Sequence, residues 1–187
     1  MELDWLFIIV VLTKGKYMIR EDIDHFFMKI AFMYASRSTC FRRQVGSVIA
    51  RDKIQLSAGY NGALPGMEHC IDNHDLCIRE KLNIPSGERQ ELCRSQHAEA
   101  NAISKAAMNG INIKDATLYV TCKPCTNCTK MIISSGIKRL VYCGDYSSGI
   151  DDELTNSLIV NIQVDRLDSK DFEEFIKFNN CIRDGRC

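Results

Sequence analysis

Between Asp22 and Ser36, apolar side chains fall at Ile23, Phe26, Phe27, Ile30, Phe32, Met33 and Tyr34. That spacing predicts a helix with one buried face, capped by Asp22 or Asp24. Two β-type runs, 45–50 and 54–60, are joined at Arg51-Asp52-Lys53 and predict a hairpin. Residues 61–96 carry Gly, Pro and Asn throughout and show no period. An irregular stretch this long in a compact domain needs something to pin it, or work to do. Order returns at His97: residues 98–108 are rich in helix formers and stop before Asn109-Gly110. A strand at 116–121, a helix at 125–135 stopped by Gly136 and a strand at 138–143 follow. A short helix near 152–157, a strand at 158–164 and a helix at 169–178 complete the pattern. Strands alternating with helices imply an α/β domain with layers on both faces of one sheet.

No repeat or Pro/Gly/Ser linker divides the chain, so 18–187 reads as one domain with its core in 22–150. Residues 1–17 read as an N-terminal extension, Met18 being the more natural start. The most apolar run, 5–12, is far short of the roughly 20 residues a membrane-spanning helix needs and reads as a buried strand. Glu2 and Asp4 stand where a signal peptide carries positive charge, and no small-residue cleavage site follows.

Composition narrows the class. The 187 residues are 45% hydrophobic and 26% charged, too apolar for a disordered chain. Lys+Arg and Asp+Glu both number 24, so the chain lacks the basic excess behind non-specific nucleic-acid binding. Ten cysteines with no mark of secretion point to a reducing compartment, the cytoplasm, and to metal rather than disulfides.

The chemistry gathers in two places: His97-Ala98-Glu99 and Pro124-Cys125-Thr126-Asn127-Cys128. Zinc favours nitrogen and thiolate ligands in a tetrahedron, and a catalytic zinc leaves one position for water. His97, Cys125 and Cys128 offer three ligands, each group at a predicted helix start, where the dipole favours thiolate. Cys125 and Cys128 are one helical turn apart, so both can reach one ion. Glu99, two residues from His97, suits a proton shuttle better than a ligand. Singly, such residues are usually structural zinc ligands, caps or surface groups. Jointly, H-x-E and P-C-x-x-C are the signature of zinc nucleobase deaminases.

At these residues the chain resembles the cytidine and deoxycytidylate deaminase superfamily, leaning to its deoxycytidylate branch. The likeness extends to Ser38-Thr39-Cys40, Gln44-Val45-Gly46, Gly59-Tyr60-Asn61-Gly62, Leu92-Cys93-Arg94, Leu118-Tyr119-Val120-Thr121 and Ser135-Gly136-Ile137-Lys138. The resemblance implies a three-layer α/β/α sandwich of the cytidine deaminase type, with one mixed sheet and helices on both faces. It implies a homo-oligomer, often hexameric, that hydrolyses dCMP to dUMP and ammonia for thymidylate synthesis, with dCTP and dTTP as effectors. It implies that Asn61 hydrogen-bonds the sugar or base and that the Ala98 backbone reads the pyrimidine. Tyr146 is a candidate for the phosphate. Asn61 also suits a turn beside Gly62 and Tyr146 a core position, while the basic cluster Arg37, Arg42 and Arg43 suits a phosphate contact or, by default, a solvated face.

Related phage and bacterial deaminases hold the long loop with a second, structural zinc. Cys40, at the end of the first helix, and Cys70 match ligand positions there. Cys77 and Cys93 complete the set, with His69 and His74 as competitors. Cys122, Cys143, Cys181 and Cys187 read as core or incidental. Two other functions compete: a deaminase of another cytosine or adenine substrate (dCTP, CMP, tRNA or single-stranded DNA), and a non-catalytic zinc module. Zero net charge argues against the nucleic-acid substrates, and Glu99 against the module.

Overall fold

The computed structural model describes residues 20–73, 77–145 and 151–184, with only the backbone described at 151 and 152. Helix α1 (Ile23–Ala35) starts where its periodicity does, and the Asp22 carboxylate caps it by accepting from the Asp24 amide. Strands β1 (Gly46–Arg51) and β2 (Ile54–Tyr60) form the expected hairpin. Its turn residues Asp52 and Lys53 both take positive φ. Strands β3 (Gly62–Ala63) and β4 (Ser95–Gln96), a four-residue helix α2 (Ile78–Lys81) and a 3₁₀ turn (Gln90–Leu92) punctuate the long loop. Helix α3 (Ala98–Met108), strand β5 (Thr117–Cys122), helix α4 (Thr126–Ser134) and strand β6 (Arg139–Gly144) follow. Helix α5 (Asp151–Ile159), strand β7 (Gln163–Arg166), a 3₁₀ turn (Ser169–Phe172) and helix α6 (Glu173–Arg183) end the chain.

The main sheet has the order β2-β1-β5-β6-β7, antiparallel at its first two junctions and parallel at the last two. The twofold period of its strands sorts the core. Val48, Ala50, Tyr119 and Val141 point to a face covered by Phe27, Met28, Ala31, Phe32 and Phe172. Ile49, Leu118, Val120 and Leu140 point to the other, against Ala102, Ala106 and Ile132. The result is the three-layer α/β/α arrangement.

Three boundaries differ from the sequence reading. The strand expected at 158–164 begins at Gln163, because the apolar residues before it finish α5 and a turn. The helix expected at 169–178 opens with a 3₁₀ turn and runs on to Arg183. Cys40 lies five residues past the end of α1 rather than at it. Residues beyond 150 are integral: Phe172 is fully buried and the Asn179 amide donates to the Phe32 carbonyl. The strand expected at 5–12 lies outside the described residues, and no described helix is long and apolar enough to cross a membrane.

Candidate active site

Two helix starts, those of α3 and α4, converge. His97 and Cys125 are the N-caps of α3 and α4, both extended, and neither side chain caps its own helix. Each leaves its backbone carbonyl to the helix, accepting from Asn101 and Thr129 at 2.9 Å, and keeps its side chain for the space between. Helix α3 is held by bonds from the sheet. The hydroxyls of Ser47 and Ser57 donate to the carbonyls of Ala98 and Ala102 at 2.8 and 2.7 Å, and the Asn101 amide donates to the Tyr60 carbonyl. Gly59 lets β2 approach: a Cβ there would stand 2.3 Å from the Ala98 oxygen and 2.6 Å from the Ala102 nitrogen. Gly62 pairs with Gln96, so the segment entering His97 is anchored as well.

His97 Nδ1 lies 3.5 Å from Cys125 Sγ and 3.4 Å from Cys128 Sγ. All three donor atoms lie within 4.8 Å of one another, the only such group of three metal-competent side chains among the described residues. With Zn–N near 2.0 Å and Zn–S near 2.3 Å, a tetrahedral edge between nitrogen and sulfur is about 3.6 Å. The spacing and the donor chemistry both fit zinc. The Cys128 thiol and His97 stabilise the Cys125 thiolate against the cost of burial and hold its pKa down, to about 4. Cys128, which donates to that thiolate and is itself buried, is pushed up. Burial works to lower the His97 pKa, but its bond to Cys125 and the charge of Glu99 outweigh that and raise it. A dication would displace the protons these donors hold.

Glu99 is 3% exposed, in the first turn of α3. Desolvation raises its pKa, against the pull of His97. It lines a cavity together with His97, Ala98, Asn61 and Cys125. The Asn61 side chain is also structural, accepting from the Val45 amide and donating to the Arg43 carbonyl, each at 2.8 Å. The cavity also takes in Cys40, Cys70, Cys77 and Cys93, all four of them free thiols. No three of their sulfurs come within 4.8 Å of one another. His69 is exposed, and His74 and Tyr146 lie outside the described residues.

Arg37 is exposed, as read from the sequence, but Arg42 and Arg43 line the cavity rather than a solvated face. Arg43 donates to Cys122 Sγ at 3.1 Å, and Arg42 donates to the Ile84 carbonyl at 2.9 Å. Cys143 belongs to the core. Cys181, read as core or incidental, is disulfide-bonded. Ser47, Ser57 and Arg79 were not singled out in the sequence. Their importance lies in contacts 45 and 51 residues away or in a loop without period.

The chain matches the family described as the cytidine and deoxycytidylate deaminase zinc-binding region over residues 21–144. It belongs to that family of zinc-binding deaminases. It is 36% identical over 180 residues to the deoxycytidylate deaminase of Enterobacteria phage T2, covering 79% of this chain and 95% of that one. It is 38% identical over 125 residues to ComE operon protein 2 of Bacillus subtilis, covering 67% of this chain but only 61% of that protein's length. The fold resembles the apo dCMP deaminase of cyanophage S-TIM5, with a TM-score of 0.60 and 25% identity. That likeness covers 80% of this chain and all of the phage chain.

Proposed function

We propose that this chain hydrolyses dCMP to dUMP and ammonia, supplying the uracil nucleotide for thymidylate synthesis. The observation that carries the reading is the buried carboxyl of Glu99, which lines one cavity with His97 and Cys125 of the His97, Cys125 and Cys128 cluster. A purely structural metal site has no use for a desolvated carboxyl beside it. The choice of dCMP is supported by the likeness to the phage T2 enzyme, which spans almost that whole protein.

Held by those three residues, zinc would supply Lewis-acid activation of water at its open fourth position. Glu99 does the proton work. Its raised pKa brings it nearer neutrality, so it can take a proton from water and give it up again within one turnover. It accepts the water proton as oxygen adds to the carbon bearing the exocyclic amine, and protonates the ring nitrogen. It then takes the remaining proton of the added hydroxyl and delivers it to the amine as the C=O forms, the C–N bond breaks and ammonia leaves. The Ala98 backbone, at the start of α3, reads the pyrimidine edge. Asn61 keeps one N–H and one lone pair beyond its two backbone bonds, and these serve the sugar or base.

Cys40, Cys70, Cys77 and Cys93 form a second zinc site in the same reading, supported by their being free and sharing one cavity wall. Binding draws their sulfurs together and pins the loop ahead of His97. We place a single domain at 18–187, preceded by an extension at 1–17, in the same proposal. A homo-oligomer, perhaps a hexamer, a response to dCTP and dTTP, and a cytoplasmic location rest there on the family likeness. The test is ammonia release from cytidine, deoxycytidine, CMP, dCMP and dCTP, with and without dCTP and dTTP. Turnover of dCMP at the highest kcat/KM is expected; no release from any of them refutes the reading.

A further inference from the structure

We propose that Arg79 is the residue by which the site selects a nucleotide carrying a phosphate monoester over the corresponding nucleoside. The inference rests on the cytosine-nucleotide reading above. Arg79 sits on the short helix α2 and is 8% exposed. A guanidinium that deeply buried is normally paired with a carboxylate. Arg79 has no ion-pair partner among the described residues. Its Nη2 donates to the Pro85 carbonyl at 3.0 Å, and its Nε is buried with no partner at all. The residue lines the cavity that holds His97, Glu99 and Cys125.

The rest of that wall has the same sign. Arg42, Arg43 and Lys123 line the cavity too, and among the described residues the only carboxylate lining it is Glu99, which the chemistry uses. Arg42 repeats the pattern of Arg79: Nη2 on the Ile84 carbonyl, Nε 3.5 Å from Glu80, and Nη1 buried without a partner. Two guanidinium groups with unfilled N–H groups therefore share one concave wall, and of the two only Arg42 has an ion-pair partner among the described residues. A planar guanidinium matches two phosphate oxygens at once, and a phosphate monoester brings the missing negative charge. A neutral nucleoside would fill the base site and leave Arg79 uncompensated. Unlike Arg42, which has Glu80 beside it, Arg79 makes no ion pair among the described residues, and the Glu91 carboxylate acts on it only through space.

The test uses Arg79→Gln and Arg79→Lys in the zinc-loaded full chain, with kcat/KM for dCMP and for deoxycytidine. Arg79→Gln should lower the dCMP value about 30-fold, mainly through KM, and change the deoxycytidine value by less than about threefold, the size of a lost charged hydrogen bond. Arg79→Lys, which keeps the charge but not the fork, should fall between. Equal losses on both substrates, or no loss on dCMP, overturn the assignment. A second measurement does not depend on turnover: the affinity ratio of dUMP to deoxyuridine by calorimetry should drop at least about tenfold in Arg79→Gln. Should that variant fail to fold, the ratio in Arg79→Lys must still fall, and an unchanged ratio overturns the proposal. A wild type that releases ammonia from neither substrate refutes the deaminase reading alone, and the affinity ratio still decides Arg79.

Discussion

Gly59→Ala tests whether the sheet positions the chemistry. The added Cβ would stand 2.3 Å from the Ala98 oxygen and 2.6 Å from the Ala102 nitrogen, both backbone atoms that cannot rotate away. Reaching even 3.0 Å from that oxygen requires β2 and α3 to separate by about 0.7 Å, and ordinary contact requires about 1 Å. The Ser47, Ser57 and Asn101 bonds resist that separation, so part of the movement is taken up by the start of α3. His97 and Glu99 are there. A misplacement near 1 Å at a catalytic group costs about 100-fold, and overpacking costs about 1–3 kcal/mol in stability. We therefore expect dCMP turnover in Gly59→Ala to fall about 100-fold, with zinc bound more weakly. Gly110→Ala is the control. Its φ of +65° also strains a side chain, but a Cβ there meets nothing within 4 Å. It should lose about 1 kcal/mol of stability and no activity. Steady-state kinetics, metal analysis and thermal melting read all of this. Wild-type kcat/KM in a folded Gly59→Ala protein would refute the idea that close β2–α3 packing sets the site.

Four further outcomes are expected. Glu99→Gln should keep its zinc and fold while losing at least about 100-fold in kcat; retained turnover would assign the proton work elsewhere. Cys125→Ala should lose the metal and activity together, and activity in a metal-free preparation would end the mechanism. Metal analysis should find two zinc ions per chain, falling to one in Cys70→Ser with a lowered melting temperature; a single zinc in fully active, reduced protein would leave the loop cysteines unexplained. Arg139 donates to both Asp24 oxygens at 2.8 and 2.6 Å and Tyr119 donates to one of them, which lowers the Asp24 pKa below its unfolded value. Its stabilisation is therefore complete above the unfolded pKa near 4 and lost as pH falls through the folded one. Asp24→Asn should flatten the acid limb of the stability curve, and an unchanged limb would show that this network carries no pH dependence.

The readable parts of this molecule are those where short-range pattern and physics coincide. Apolar period placed α1, and strand runs bounded by turns placed β1, β2 and β6 to within a residue or two. The ligands were legible because His97 with Glu99, and Cys125 with Cys128, each lie within one turn, so spacing alone puts them on one helix start. What was not legible depends on partners far along the chain. Ser47 and Ser57 look like ordinary strand serines until the carbonyls of α3 arrive over them. Asn61 looks like a turn residue, and its two backbone bonds to 43–45 show that it is also a clamp. The segment 158–164 misled because its apolar residues serve a helix end, a turn and a strand in succession, and no single period describes them.

Placing the reactive groups at helix starts solves two problems at once. A metal site made of His97, Cys125 and Cys128 must hold two thiolates and a carboxyl in a buried space, where like charges repel and desolvation penalises each. The N-termini of α3 and α4 meet that space with unfilled amides and the positive ends of two dipoles. Helix α3 cannot move to relieve the strain, since Ser47, Ser57 and Asn101 tie its first two turns to the sheet. The repulsion is therefore expressed as shifted protonation instead of displaced backbone. Cys125 holds its charge, Cys128 keeps a proton, and Glu99 is drawn towards neutrality. A bound dication reinforces the first shift and reverses the second by making both thiolates favourable. Glu99 is then the group to which the proposed mechanism gives the proton work.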